Sequence, residues 1–181
     1  NKNVVTLVGT DGHRLAKFSY YIEENFDQVS GVIVPKKTIY ELSKLLSEID
    51  QNVKMSISSN KIVFSIGKIT FISKLIDGSF PDYKRVIPND NKNILKINRD
   101  KLLSAVDRVS TIANEKSPVI KFKLFQNILN LNTINTESST ASEDLNISYE
   151  GDEIEIGFNS KYIMDIVNNL EDNEISINLK D

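Results

Sequence analysis

The segment Leu7–Lys17 reads LVGTDGHRLAK and contains the single histidine of the 181-residue chain. Its Asp11-x-His13 spacing also occurs in metal-dependent phosphoesterases, so a hydrolytic metal centre is the first chemistry to consider. Such a centre needs several further His, Asp or Cys ligands, and the chain has no second histidine and no cysteine. The sequence therefore argues against a metal-dependent enzyme.

Other forms of catalysis have no better support. No G-x-S-x-G motif follows a strand-like segment, and the chain has no glycine-rich phosphate-binding loop. The structural interpretation makes Asp11-Gly12 a tight turn between strands VVTLV and RLAKF, with His13 a half-exposed strand residue. We therefore predict no catalytic residue, no metal and no cofactor.

The composition favours a folded protein with one large domain or two small ones. Hydrophobic residues make up 40% of the chain, which is enough to bury real cores. The sequence has no long apolar run, no signal-peptide pattern and no cysteine, which favours a cytoplasmic protein without membrane spans or disulfides. Lys and Arg total 22 against 25 for Asp and Glu, so any surface that binds nucleic acid must be local.

Three copies of one pattern lie along the chain: a short apolar strand, a polar or proline breaker, basic residues, and an amphipathic helix. Each helix has an apolar stripe at three- and four-residue spacing, which predicts one buried face. In the first copy that stripe is Ile39, Leu42, Leu45 and Leu46. The copies are VIVPKKTIYELSKLL (Val32–Leu46), LKINRDKLLSAVDRV (Leu95–Val109) and IGFNSKYIMDIVNNL (Ile156–Leu170).

Between the predicted helices the hydrophobic period falls to two, which indicates hairpin-linked strands with turns near residues 59–60 and 67–68. Four strands, VIKFKLF, ILNLNTI, LNISYE and EIEIGF, are predicted before the third helix. Repeated β-α-β-β-β units predict an α+β fold with helices on one face of antiparallel sheets. Segment 77–93 has the prolines and turn formers of a linker, with a domain boundary near 89–92.

Basic residues stand at the start of all three predicted helices, against the preference of the helix dipole for acidic residues there. Together they could present positive charge to a phosphate backbone, although solvated lysines without a function account for the same pattern. No aromatic residue is expected to interleave with them, so any DNA contact is predicted to be non-specific and to the backbone. The residues are Lys36, Lys37, Arg99, Lys101 and Lys161.

Five segments, in order, resemble the bacterial DNA polymerase III β-subunit family, the sliding clamps: TDGHRLA, VIVPKK, SKLIDGSFPDYKRVIP, ANEK and EIGFNSKYIMDIV. Members of this family are head-to-tail dimeric rings with three similar domains per subunit, whose helices surround duplex DNA. The resemblance implies that residues 1–90 are the C-terminal part of the second domain plus the linker. Residues 91–181 would then be most of the third domain, ending before its last strands.

The resemblance also implies a cleft between the second and third domains, where short hydrophobic peptides of the replicative polymerase, the clamp loader and repair proteins dock. His13 would then be part of the wall of a pocket. Ser117 departs from the family, because some members have a large aromatic residue there. The positions that match the cleft are Thr10, Gly12, His13, Arg14, Leu15, Pro81, Arg85, Val86, Asn159 and Tyr162.

Two further surfaces are implied. Lys36, Lys37 and Lys44 match positions that face DNA, in line with the helix-start residues Arg99, Lys101 and Lys161. An acidic sheet edge for homodimer formation would contain Ile112, Glu137, Glu143 and Asp144. The predicted function is that of a non-catalytic processivity factor in bacterial DNA replication, and the alternative is a protein-interaction module without a DNA role.

Overall fold

The computed structural model describes residues 3–22, 31–49, 51–114, 118–134 and 139–180. The chain divides into two compact units, Asn1–Ile87 and Pro88–Asp181. This division lies just before the boundary that the sequence places near residues 89–92. Within the described part of the chain, no helix is long and apolar enough to cross a membrane.

The first unit contains a two-stranded hairpin, a helix and a three-stranded antiparallel sheet in the order β3-β4-β5. The turns at residues 58–60 and 67–68 confirm the two predicted hairpin connections, and the second uses Gly67 at a φ of 57°. The elements are β1 (Val4–Thr10), β2 (Leu15–Tyr21), α1 (Lys36–Ser47), β3 (Val53–Ile57), β4 (Lys61–Ile66), β5 (Ile69–Lys74) and a short 3-10 helix (Tyr83–Arg85).

The core of the first unit is small and lies between α1 and β4, where Leu42 packs with Ile62, Phe64 and Ile66. The prediction that Ile39 belongs to the buried stripe of α1 is wrong, because its side chain is 50% exposed. The helix instead turns Thr38 and Leu42 inward, and residues four apart share one helical face. The Thr38 hydroxyl is satisfied by the Ser73 hydroxyl, at an O–O distance of 2.6 Å.

The second unit contains two antiparallel sheets with strand orders β10-β6-β12 and β11-β7-β8-β9. Helix α2 packs against α3 and against strands of both sheets. This arrangement confirms the predicted α+β class. The elements are β6 (Asn93–Asn98), α2 (Arg99–Ser110), β7 (Val119–Phe125), β8 (Ile128–Ile134), β9 (Thr140–Asn146), β10 (Ser148–Tyr149), β11 (Ile154–Asn159), α3 (Ser160–Asn168) and β12 (Glu174–Leu179).

The core of the second unit takes side chains from both sheets and both helices. Leu95, Leu102, Phe122 and Leu131 are completely buried there, and Val167 of α3 is 3% exposed. The edge-to-face contact of Phe122 with Phe158, at 5.1 Å between ring centroids, adds to the packing. Alternation of apolar and polar residues in β7 and β8 places one face of each strand in this core.

The segment LNISYE, predicted as one strand, is divided between two sheets. Strand β9 pairs with β8, the chain then bends at Ile147, and β10 pairs with β6. Asn127, in the left-handed region at a φ of 65°, fixes the bend. Its carbonyl oxygen accepts from the Ile147 N–H at 3.0 Å, and its side-chain Oδ1 accepts from the Tyr149 N–H at 2.8 Å. Period-two alternation continues through such a bend, so the sequence pattern does not reveal it.

Candidate functional site

The loop between β1 and β2 contains the single histidine, and its own side chains hold its shape. Thr10 pairs with Leu15 at the end of the hairpin, and Gly12 adopts a φ of 85° that favours glycine. The Thr10 hydroxyl accepts from the Gly12 N–H at 3.1 Å and donates to the Arg14 carbonyl at 2.8 Å. Backbone and side chain therefore close the loop together.

Asp11 supports the same loop from its other side. Its Oδ1 accepts from the N–H groups of His13 (3.1 Å) and Arg14 (3.0 Å), and its Oδ2 accepts from Arg14 Nε at 3.0 Å. The bond from the His13 N–H, followed by that from the Arg14 N–H and by the guanidinium, lowers the pKa of Asp11 to about 2. The predicted turn at Asp11-Gly12 is confirmed, but the prediction that His13 is a strand residue is wrong. His13 is exposed in the loop, because the Asp11 carboxylate extends the turn to four residues.

A half-open groove of about 340 Å³ lies in the first unit between this loop and residues 80–86. The Tyr83 carbonyl accepts from the Val86 N–H, which closes the short 3-10 helix at the groove. Leu15, Phe80, Pro81 and Val86 give the groove its apolar surface. The lining residues are Thr10, Gly12, His13, Arg14, Leu15, Phe80, Pro81, Asp82, Tyr83 and Val86.

Most of the cleft residues predicted in this unit therefore come together in one groove, although their two segments lie far apart in the sequence. Arg85 is not among the lining residues, and its side chain is 86% exposed, with Nε 3.1 Å from Asp82 Oδ2. Sequence reasoning missed Phe80, Asp82 and Tyr83. All three lie beside Pro81 in the segment SFPDYKRV. Their closeness in sequence to a predicted cleft residue could have identified them as lining residues.

A second cavity in the first unit, of about 360 Å³, is slightly larger. Its lining includes Gly31, Asn60, Asp77 and Gly78, and none of the predicted cleft residues. We assign the candidate site to the smaller groove, because there a structured loop presents apolar side chains beside Arg14 and His13.

The two remaining cleft residues belong to the second unit, at the start of α3. The Asn159 side chain caps this helix, since its Oδ1 accepts from the N–H groups of Lys161 (3.0 Å) and Tyr162 (3.4 Å). Tyr162 is half-buried in the first turn. Asn159 thus has a clear structural role within its own unit.

The predicted DNA-facing lysines of α1 are all exposed. Lys36 and Lys37 stand in a first turn that contains no acidic residue. Lys44 Nζ lies 4.1 Å from the centroid of the Tyr40 ring and 4.0 Å from Glu41 Oε2. This face of the helix is therefore positively charged and carries an aromatic ring.

The predicted DNA-facing residues of the second unit have different surroundings. Lys101 and Lys161 are exposed at the starts of their helices. Arg99 is half-buried, pairs with Asp100 at 2.7 Å, and donates from Nη1 to the Leu170 carbonyl at 2.6 Å. Its guanidinium thus links the start of α2 to the residues that follow α3, a role that charge counting did not predict.

Two residues of the predicted acidic edge, Glu143 and Asp144, lie on β9, an edge strand of its sheet. Glu143 accepts two bonds from Arg108 of α2, at 3.0 and 2.5 Å, and these bonds lower the pKa of Glu143. Asp144 accepts from Asn130 Nδ2 at 2.6 Å. Ile112 is half-buried just after α2. Glu137 and Ser117 lie outside the described residues.

Within the described ranges, no three His, Cys, Asp or Glu side chains lie close enough together to hold a metal ion. The site in the first unit is the groove, which both apolar and polar side chains line. Its apolar and polar side chains together are suited to binding a partner of mixed polarity.

Two family models match the chain. That of the DNA polymerase III beta subunit, central domain, matches residues 1–82, and that of its C-terminal domain matches residues 84–181. A beta sliding clamp from Caulobacter vibrioides is 42% identical over 159 residues, which are 88% of this chain and 43% of that protein. A beta sliding clamp from Haemophilus influenzae is 37% identical over 179 residues, which are 99% of this chain and 49% of that protein.

Solved structures agree with this similarity. The sliding clamp of Bartonella birtlesii bound to griselimycin has a TM-score of 0.93 and 45% identity, over 98% of this chain and 48% of that one. The Pseudomonas aeruginosa clamp bound to griselimycin has a TM-score of 0.95 and 35% identity, over 100% of this chain and 49% of that one. The chain spans about half the length of the curated relatives it matches. It belongs to the DNA polymerase III beta subunit family, the beta sliding clamps.

Proposed function

We propose that the chain acts as part of a sliding clamp, a processivity factor that encircles duplex DNA in bacterial replication and tethers other proteins to it. The observation that carries this proposal is the apolar groove between the loop of residues 11–14 and residues 80–86. A tether needs a site that holds a short peptide without changing it chemically. A preformed groove with few polar groups fits that requirement.

The groove supplies two kinds of contact to such a peptide. Leu15, Pro81 and Val86 offer apolar surface, and Val86 is 67% exposed and so available to a ligand. Arg14 and His13 lie on the loop that Asp11 stabilises, so their backbone is positioned before the peptide arrives. A site organised in advance loses less conformational entropy on binding.

The domain assignment is part of the same proposal. Residues 1–90 form the C-terminal part of the clamp's middle domain plus the linker, and residues 91–181 form most of the third domain. The family-model matches to residues 1–82 and 84–181 support this assignment. Peptide segments of the replicative polymerase, the clamp loader and repair proteins are the proposed ligands of the groove, with Arg85 as a further contact.

The exposed lysines support the DNA-binding half of the proposal. Lys36, Lys37, Lys44, Lys101 and Lys161 bind phosphates of the enclosed duplex without reading its sequence. Arg99 is the weakest member of the proposed set, because its guanidinium is already engaged by Asp100 and Leu170. The clamp works in the cytoplasm, is non-catalytic, and closes as a homodimer through the edge strand β9.

Calorimetric titration with a hydrophobic peptide of the kind carried by replicative polymerase subunits tests the tethering role. Leu15→Asp places an unpaired charge on the apolar side of the groove, so we expect it to abolish peptide binding. Lys36→Glu changes a lysine on α1 and serves as the control that should bind normally. Equal loss in both variants would indicate misfolding or a general charge effect. Full binding by Leu15→Asp would refute the groove assignment.

A further inference from the structure

Helix α1 has two opposed faces with different chemistry. Thr38 and Leu42 face the core, while Lys36 and Lys44 share the opposite face with Tyr40, since residues four apart lie one above the other. Both lysines are exposed, and the Tyr40 side chain is 57% exposed. The outward face of α1 is therefore basic and aromatic together.

The sequence-based expectation that no aromatic residue interleaves with the basic ones is wrong for this helix. Tyr40 stands between Lys37 and Lys44 on the outward face. The ammonium of Lys44 lies 4.1 Å from the centroid of its ring, in cation–π geometry. Alternation of lysines with an exposed ring is typical of surfaces that bind unpaired nucleic-acid strands.

We infer that the outward face of α1 binds single-stranded DNA, with a base stacked on Tyr40 and neighbouring phosphates held by Lys36, Lys37 and Lys44. Charge complementarity favours this ligand, because Glu41 is the one acidic residue within α1 and lies 4.0 Å from Lys44. Bases of a duplex are covered by their stacked neighbours, so a ring on a convex helix face can stack only on an unpaired base.

This inference goes beyond the proposed clamp function. A clamp that encloses duplex DNA needs contacts to phosphates only. An aromatic side chain that stacks on a base, in contrast, discriminates a single strand from a duplex. Peptide tethering by the groove and single-strand binding by α1 can therefore be refuted independently. Loss of peptide binding in the groove would leave the α1 surface untouched, and loss of single-strand binding would leave the tethering role intact.

Fluorescence anisotropy with a labelled oligothymidine and with a duplex of equal length tests the inference on the 181-residue chain. Tyr40→Ala should weaken single-strand binding by at least about fivefold, because a stacked base is lost. Duplex binding should not change. Tyr20→Ala is the matched control, since Tyr20 is a tyrosine of the same unit with 62% exposure, and it should change neither affinity.

The salt dependence of DNA affinity distinguishes the contribution of the Tyr40 ring from that of the lysine charges. Lys44→Gln should reduce the slope of log affinity against log salt by about 0.7 for the single strand, whereas Tyr40→Ala should lower affinity at an unchanged slope. Tyr40→Phe keeps the ring and should bind as the unaltered chain does. The inference is overturned if Tyr40→Ala weakens duplex and single strand equally, if Tyr20→Ala has the same effect, or if Tyr40→Phe fails like Tyr40→Ala. Absence of single-strand binding by the unaltered chain would also overturn it.

Discussion

The two units share a strand-and-helix pattern, but their apolar side chains are buried to different extents. In the second unit, both sheets and both helices contribute to one continuous core, and residues such as Phe122 and Leu131 are completely buried. In the first unit, the buried apolar residues of the core, among those that the structure describes, are Leu42 and three residues of β4, with partly buried side chains packed around them. Most of the exposed large apolar side chains of the described residues also lie in the first unit.

The hairpin β1–β2 has an apolar face that remains exposed. Leu7 pairs with Phe18 and Val5 pairs with Tyr20, so these four side chains share one face of the hairpin. Phe18 and Tyr20 are nevertheless more than 60% exposed. Alternation along a strand specifies which face is apolar, but it carries no information about whether another element covers that face.

The largest expected effect concerns the core of the second unit. Phe122→Ala should lower the free energy of unfolding of that unit by about 3–5 kcal/mol, because it leaves a cavity in close-packed surroundings. Phe18→Ala, in the exposed hairpin, should change the free energy of unfolding by less than about 0.5 kcal/mol. Chemical denaturation followed by circular dichroism measures both. Similar losses in the two variants would mean that the contrast in burial does not hold in solution.

A smaller effect is expected at Gly12, in the loop that forms one wall of the groove. Gly12→Ala should cost about 1–2 kcal/mol in the stability of the first unit, since an L-residue is disfavoured at positive φ. No atom lies near the position of the added methyl group, so the cost comes from the backbone. Gly9→Ala, in open space within β1, is the control, and thermal unfolding is the readout. Equal stability of the two variants would show that the loop does not hold its positive φ.

The smallest effect is a pH response of the same loop. The pKa of Asp11 is lowered from 3.8 to about 2, so its ionised form favours the folded loop. That contribution is complete above about pH 4 and is lost as the pH falls towards 2. A carbon-detected NMR titration of the Asp11 carboxyl group should therefore show a midpoint near 2. Asp11→Asn should remove the accompanying shifts of the His13 and Arg14 amides, whereas a midpoint near 3.8 would mean that the loop hydrogen bonds do not form.

Sequence reasoning predicted the α+β class, the three helices and the Asp11-Gly12 turn. It failed where side chains compete for backbone groups or where the chain changes sheets. His13 lies in the loop because the Asp11 carboxylate accepts from the N–H groups of His13 and Arg14. The segment LNISYE divides because Asn127 accepts from the N–H groups of Ile147 and Tyr149. Arg99 was predicted to face DNA because of its charge alone, whereas its guanidinium donates to the Leu170 carbonyl. The contacts of Asn127 and Arg99 join residues that are distant in sequence, and local patterns do not encode them.

The groove in the first unit could be predicted only through resemblance to a family. No local pattern joins residues 10–15 to residues 80–86, because neither segment has the periodicity of a helix or strand that would indicate its partner. The exposed apolar face of the β1–β2 hairpin offers a competing place for a hydrophobic peptide. The groove and the hairpin face are thus two alternative binding sites for the peptide, and an experiment must distinguish them.

Amide chemical-shift changes on an isotope-labelled chain during addition of the hydrophobic peptide show where the peptide binds. We expect the largest changes at Gly12, His13, Tyr83 and Val86, around the groove. Changes centred instead on the outward face of the hairpin, at Leu7 and Phe18, would contradict this expectation. Such a result would mean that exposed apolar area, and not the shaped groove, attracts the peptide.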